Sequence, residues 1–143
     1  LIGMNEVGLN AKWLGKDMTD PVTVIYGHNM RDKSMFGILD SYLDEEFRNQ
    51  HSEIRIYTPE HIFTYRVAFA VTYDDRHIPK TYDFSTAEGY QNFLTSLQTE
   101  RKLPSWMEEP FNVTTNDRMI ILSTCNGNET QRFLIGAVLT NEE

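Results

Sequence analysis

Three side chains in this sequence could together carry out acyl transfer: His28, Cys125 and Arg132. Each lies at one end of an apolar run that is typical of a buried strand. A thiolate can attack a carbonyl carbon, an imidazolium can protonate the departing amine, and a guanidinium can stabilise the oxyanion. Cys125 is the only cysteine, and it follows the run 120–124 directly before the turn-forming residues 126–128. The residue types for a cysteine-dependent acyl transfer are therefore present at strand ends.

Each of these residues also has an ordinary structural interpretation. A lone cysteine at a strand end is usually a buried structural thiol, Gly-His is usually a turn, and an arginine that opens a strand is usually a surface charge. If the strands before Cys125 and after Arg132 form a hairpin, these two residues lie near one rim. No pattern brings His28 to that rim, so the residue types alone leave the chemistry open.

Strands dominate the elements that would position these residues. Alternation and β-branched runs predict strands at Pro21–His28, Glu53–Thr58, His61–Asp75, Arg118–Thr124 and Arg132–Thr140. The third of these is the clearest, because its alternate apolar side chains fall on one face over eleven residues. Those side chains are Phe63, Tyr65, Val67, Phe69, Val71 and Tyr73. The first twenty residues carry signals too weak to assign.

Two helical segments interrupt the strands. Spacing of apolar residues predicts two short helical turns within Ser34–Gln50 and a longer helix from about Thr86 to Arg101. Ser85 and Glu88 fit a capping box with Ser85 as N-cap, and we expect a loop containing Pro104 to follow the helix. A mainly β fold with inserted helices, a small barrel or sandwich, fits these elements.

Composition limits the class of partner. At 143 residues the chain fits a single domain, 1–143, and its net charge of −8 argues against a nucleic-acid surface. No run approaches the roughly 18 consecutive apolar residues of a membrane helix. The scattered His51, His61 and His77 have no ligand spacing, so we expect no metal site and no cofactor.

The motifs resemble the sortase family, and class B sortases most closely. The resemblance rests on "VTVIYGHNM" followed by "SMFGILDSYLD", on "MIILSTCN" and on "RFLIGAVL". Sortases carry a strand ending in Gly-His or a similar pair, a strand ending in Leu-x-Thr-Cys, and an arginine that opens the final strand. The run 122–125 matches the second motif residue for residue. The resemblance covers about Pro21 to Leu139 and implies a sortase-like β-barrel with inserted helices.

The resemblance implies a role for each matched residue. Cys125 is similar to the nucleophile, His28 to the general acid and later base, and Arg132 to the residue that stabilises the oxyanion and orients substrate. The implied substrate-binding residues are Asn29, Ser123 and Thr124.

The implied reaction is transpeptidation by a cysteine enzyme, grouped with the thiol proteases. Such an enzyme cleaves a C-terminal sorting signal of the Asn-Pro-x-Thr type after its Thr. It holds the surface protein as a thioacyl intermediate and passes it to an amine of a peptidoglycan precursor or a pilin. The resemblance also implies a location on the extracellular face of the cell membrane of a Gram-positive bacterium, through an N-terminal anchor missing from this sequence.

The sequence departs from the family pattern in two places. Sortase barrels have about two strands before the histidine strand, whereas the residues before His28 offer one strand at most, in "GMNEVGLNAKWLG". We therefore expect the N-terminal strands to be truncated or degenerate. The loop between Cys125 and Arg132 is shorter than in several class B enzymes and lacks their aromatic residue after the cysteine.

Two other functions stay open. A His-Cys protease on a chymotrypsin-like barrel would use the same nucleophile but would need no arginine. An inactive sortase-like barrel could serve as a binding or assembly scaffold.

Overall fold

The computed structural model describes residues 2–3, 6–10, 21–27, 39–57, 61–125 and 130–143. Within them, eight strands form one curled sheet, and the helices are short insertions. In chain order the elements are β1 (Ile2–Gly3), β2 (Glu6–Asn10), β3 (Val22–Gly27), a 3₁₀ helix (Leu39–Leu43), α1 (Glu45–Gln50), β4 (Glu53–Tyr57), β5 (Ile62–Asp74), α2 (Ile78–Thr81), α3 (Ala87–Thr99), β6 (Lys102–Met107), β7 (Met119–Cys125) and β8 (Gln131–Glu142). The mainly β, barrel-like fold with inserted helices is confirmed.

The strand order brings the three motif strands together. The sheet runs β1-β2-β4-β5-β8-β7-β3, and β6 pairs with β5 beside β4. Strands β7 and β8 are antiparallel, whereas β3 lies parallel to β7. The carboxyl ends of β3 and β7 and the amino end of β8 therefore lie at the same end of the sheet, which we call the rim.

Strand β5 does not present one continuous apolar face. Its register with β8 shifts between Val67 and Phe69, where Ala68 is the extra residue of a β-bulge. Phe63, Tyr65 and Val67 pack in one cluster, whereas Phe69 and the residues alternating after it pack in another. The prediction of a single face was wrong, because a bulge reverses which side each later residue faces.

Two apolar clusters lie on opposite faces of the sheet. The barrel-side cluster contains Tyr42, Ile54, Leu122 and Phe133, with α1 and the 3₁₀ helix packed on it. The helix-side cluster is formed with α3, whose buried stripe is the predicted one. That stripe consists of Tyr90, Phe93, Leu94 and Leu97. Burial of this stripe fixes α3 against the sheet.

Several local predictions need correction. The N-cap of α3 is Thr86, whose side chain accepts a hydrogen bond from the Gly89 amide, while Ser85 Oγ donates to Asp83 instead. The segment with Pro104, predicted as a loop, contains strand β6. Two short strands, β1 and β2, are described where the sequence offered one at most. The predicted helical turns match the 3₁₀ helix and α1 for residues 39–50, and residues 34–38 lie outside the described part.

The expected location on the membrane's extracellular face is wrong for this chain. No helix of the described residues is long and apolar enough to cross a bilayer.

Candidate active site

Cys125 and Arg132 are direct neighbours across the β7–β8 ladder. They are register partners at the rim end of an unbroken antiparallel pairing that begins at Met119 and Val138. Opposed residues in such a pair have Cα atoms about 4.5–5.5 Å apart. The backbone therefore brings together two of the three residues that the sequence singled out.

The guanidinium of Arg132 is held by Ser123. Arg132 Nε donates to Ser123 Oγ at 3.0 Å, and Nη2 donates to the Ser123 carbonyl oxygen at 2.9 Å. Ser123 is only 1% exposed, so its hydroxyl is buried beneath the arginine. These two bonds draw the guanidinium over β7, the strand that ends in Cys125.

Thr124 faces the other way. It lies on the side of Leu122, which belongs to the barrel-side cluster, and its register partners are Gly27 and Phe133. The residue is 1% exposed, and Thr124 Oγ1 has no hydrogen-bond partner among the described residues. Contact of Ser123 or Thr124 with substrate stays a prediction.

His28 and Asn29 lie outside the described residues. The residue before them, Gly27, ends β3 and is the register partner of Thr124, directly before Cys125. Strand β3 therefore ends at the rim, one residue before His28.

On its other side, Arg132 is the register partner of Tyr73 in β5. The Tyr73 hydroxyl is hydrogen-bonded to the hydroxyls of Tyr82, at 3.0 Å, and Ser96. The ring lies 4.8 Å from the Arg76 guanidinium carbon, in a cation–π contact. Burial raises the pKa of Tyr73 well above its ordinary value, so the phenol is neutral at physiological pH.

Arg76 joins the end of β5 to the end of α3. Its Nε donates to Asp74 Oδ1 at 2.7 Å, and its Nη2 bonds Asp74 Oδ2 and Glu100 Oε1. The hydrogen bond from Arg76 lowers the pKa of Asp74 below its ordinary range. This network fixes the helical insertion beside the rim.

No sequence pattern points to Tyr73 or Arg76 as residues beside the site. Tyr73 is one of the alternating apolar residues that predict the strand His61–Asp75, and Arg76 follows that strand without a recognisable motif. Their roles depend on the bulge in β5, which turns Tyr73 toward α3.

Within the described residues, no group of three His, Cys, Asp or Glu side chains is arranged to hold a metal ion.

Comparison with known proteins places this arrangement in a family. The sequence matches the sortase domain family over residues 10–140. Sortase B of Staphylococcus aureus (strain NCTC 8325 / PS 47) is 33% identical over 120 residues, which are 80% of this chain and 47% of that protein. Sortase B of Listeria monocytogenes (serovar 1/2a, strain ATCC BAA-679 / EGD-e) is 32% identical over 116 residues, covering 77% and 43%. The matched stretches span less than half the length of these two relatives.

Solved structures show the same likeness. The Staphylococcus aureus sortase B–substrate complex aligns with a TM-score of 0.68 at 28% identity, over 85% of this chain and 56% of that one. A sortase B complexed with Gly3 aligns with a TM-score of 0.70 at 25% identity, over 88% and 59%. The family match covers most of the chain, and these relatives and structures are all of sortase B. This chain therefore belongs to the sortase family, in class B.

Proposed function

We propose that this chain carries the catalytic machinery of a cysteine transpeptidase that joins a surface protein to a cell-wall amine. The observation that carries the proposal is the register of β7 and β8, which sets Cys125 opposite Arg132 at the rim. The position of Gly27 beside Thr124 supports His28 as the third member.

In the first half-reaction, the Cys125 thiolate attacks the carbonyl carbon of the Thr in an Asn-Pro-x-Thr signal. Arg132 stabilises the negative charge that develops on the carbonyl oxygen. The scissile C–N bond then breaks, and His28 gives its proton to the departing amine. The surface protein is left as a thioester on Cys125.

In the second half-reaction, an amine of a peptidoglycan precursor or a pilin attacks the thioester. His28 takes the amine's proton, the C–S bond breaks, and the thiolate is regenerated. Water in place of the amine would give hydrolysis. One solved sortase B is a substrate complex and another is complexed with Gly3, which supports a sorting-signal substrate and an amine acceptor for this chain.

The test is intact mass spectrometry of the chain mixed with an Asn-Pro-x-Thr peptide. We expect an acyl adduct on Cys125 that is absent in Cys125→Ala and is released by hydroxylamine or triglycine. Release as the triglycine product rather than the free acid supports transpeptidation over a His-Cys protease. No adduct across a panel of signals would reject the enzymatic function and favour the scaffold.

The Arg132→Lys variant separates the protease alternative further. A transpeptidase that uses the guanidinium at the oxyanion should form its adduct at least roughly tenfold more slowly with lysine. A protease that needs no arginine would be little affected. The melting temperature of the variant shows whether a rate change reflects the site or the fold.

A further inference from the structure

Arg132 lies between two strands, and its guanidinium can bend toward either of them. In the sheet register it is opposed by Cys125 of β7 on one side and by Tyr73 of β5 on the other. An arginine side chain is long and flexible, so its sheet position alone does not decide toward which strand it bends.

The bonds to Ser123 decide this choice. Nε and Nη2 reach the hydroxyl and the carbonyl of the same residue, at 3.0 and 2.9 Å, on the strand of the nucleophile. Two bonds from one guanidinium to one residue fix its plane as well as its position. Ser123 is 1% exposed, which makes its hydroxyl suited to hold the arginine rather than to meet a ligand from solvent.

We propose that Ser123 is a positioning residue that holds the Arg132 guanidinium over β7, beside Cys125, before substrate arrives. This inference rests on the proposed function. Ser123, implied by the resemblance to bind substrate, would instead support the oxyanion-stabilising arginine. A preorganised cation needs no rearrangement when charge develops, so its effect falls on the rate of thioester formation.

The chain offers a matched control one residue away. Thr124 is buried to the same extent, also carries a hydroxyl, and faces the opposite side of the sheet, where the part of the chain that the structure describes offers Oγ1 no partner. Removal of either hydroxyl disturbs the same strand beside the nucleophile. Only removal of the Ser123 hydroxyl takes away a bond to Arg132.

The first readout needs no sorting signal. Cys125 is the only cysteine, so the rate of iodoacetamide alkylation as a function of pH reports on this thiol alone. A guanidinium held nearby favours the thiolate, so Ser123→Ala and Arg132→Gln should both move the midpoint of the profile to higher pH. Thr124→Val should leave it unchanged, and Ser123→Thr, which keeps a hydroxyl, should restore it.

The second readout is the rate of adduct formation with the peptide. Ser123→Ala should lower the maximal rate by roughly tenfold with a smaller change in half-saturating peptide concentration. In an Arg132→Lys background, which has no Nε–H fork to hold, the same substitution should add little.

Two results would overturn the proposal: an unshifted alkylation profile in Ser123→Ala or Arg132→Gln, or additive effects of Ser123→Ala and Arg132→Lys. A wild-type chain that forms no adduct but shows the predicted alkylation shifts would reject the transpeptidase function. It would leave the positioning by Ser123 established.

Discussion

The two strands that flank β8 support the rim in different ways. On one side, β7 pairs with β8 in continuous register from Met119 to Cys125. On the other side, β5 pairs with β8 through two register shifts and is tied to the α2–α3 insertion by hydrogen bonds between side chains. The first contact is a local hairpin, and the second joins residues far apart in the chain.

This difference separates two tasks. The regular ladder sets Cys125 opposite Arg132 by backbone geometry alone. The bulged strand turns its last residues toward α3 and so anchors the insertion beside the rim. Substitutions on the β5 side should therefore act on stability, and those beside Arg132 on chemistry.

Gly136→Ala should have the largest effect on the β5 side. A Cβ at Gly136 would lie 2.0 to 2.6 Å from three ring carbons of Phe69, the first residue after the bulge. Phe69 is fully buried, so the ring has little room to move. We expect a loss of about 2–3 kcal/mol in the free energy of unfolding, measured by urea denaturation.

A double variant tests the cause of that loss. In Phe69→Leu the ring is absent, so adding Gly136→Ala should cost clearly less than it does in the wild type. Equal costs in both backgrounds would show that the ring does not set the size limit at Gly136.

Tyr73→Phe should cause the next largest loss of stability. It removes the hydroxyl that bonds Tyr82 and Ser96, but both partners keep another bond, to Arg76 and to the Phe93 carbonyl. No polar group is left orphaned, so we expect a loss of about 1 kcal/mol in unfolding free energy. The alkylation profile of Cys125 should not move, which distinguishes this side of Arg132 from the Ser123 side.

Tyr42→Phe is the matched control. Tyr42 is also fully buried, but within the described ranges its hydroxyl has no hydrogen-bond partner. Its removal should leave stability unchanged or raise it, and equal losses in the two variants would contradict the role given to the Tyr73 bonds.

The same contrast explains what the sequence could predict. Strands β7 and β8 keep their register, so their apolar runs and the turn between them predict both the hairpin and the meeting of Cys125 with Arg132. In β5 the apolar residues keep their period of two through the bulge at Ala68. The extra residue changes which face of the sheet the later side chains lie on, but it leaves the sequence pattern unchanged. The single-face prediction failed for that reason.

Three other features were not predicted, because they depend on long-range strand pairing or on side-chain hydrogen bonds. Strand β6 contains Pro104 and two other exposed residues, which is typical of a loop, and only its pairing with β5 makes it a strand. Thr86 rather than Ser85 caps α3, because Ser85 bonds Asp83. The bond between Ser123 and Arg132 has no sequence signal, since neither residue type nor spacing sets where a long side chain bends.

Thr124→Val, on the β7 side, should slightly raise the free energy of unfolding, whereas Gly136→Ala and Tyr73→Phe lower it. Valine has nearly the shape of threonine and removes a buried hydroxyl that no described residue hydrogen-bonds, so we expect a gain of up to about 1 kcal/mol in the free energy of unfolding. Thr72→Val in β5 is the comparison, because Thr72 is equally buried but its Oγ1 donates to the Pro104 carbonyl at 2.8 Å. That variant should be destabilised, and losses in both unfolding curves would contradict the assignment of Thr124.

Asp74→Asn should give the smallest effect, a slight loss of stability at neutral pH that disappears as the pH is lowered. The bonds from Arg76 lower the pKa of Asp74 in the folded chain. A carboxyl group whose pKa is lowered by folding stabilises the folded chain at pH above its unfolded pKa of about 3.9. This stabilisation is lost as pH falls through the folded pKa. Melting temperatures of the wild type should therefore decline more steeply than those of Asp74→Asn as pH is lowered below about 4, and the variant should already be slightly less stable at neutral pH. The neighbouring exposed Asp75→Asn should follow the wild type, and an acid decline of Asp74→Asn parallel to the wild type would show that the Arg76 network does not anchor the β5 side of the rim.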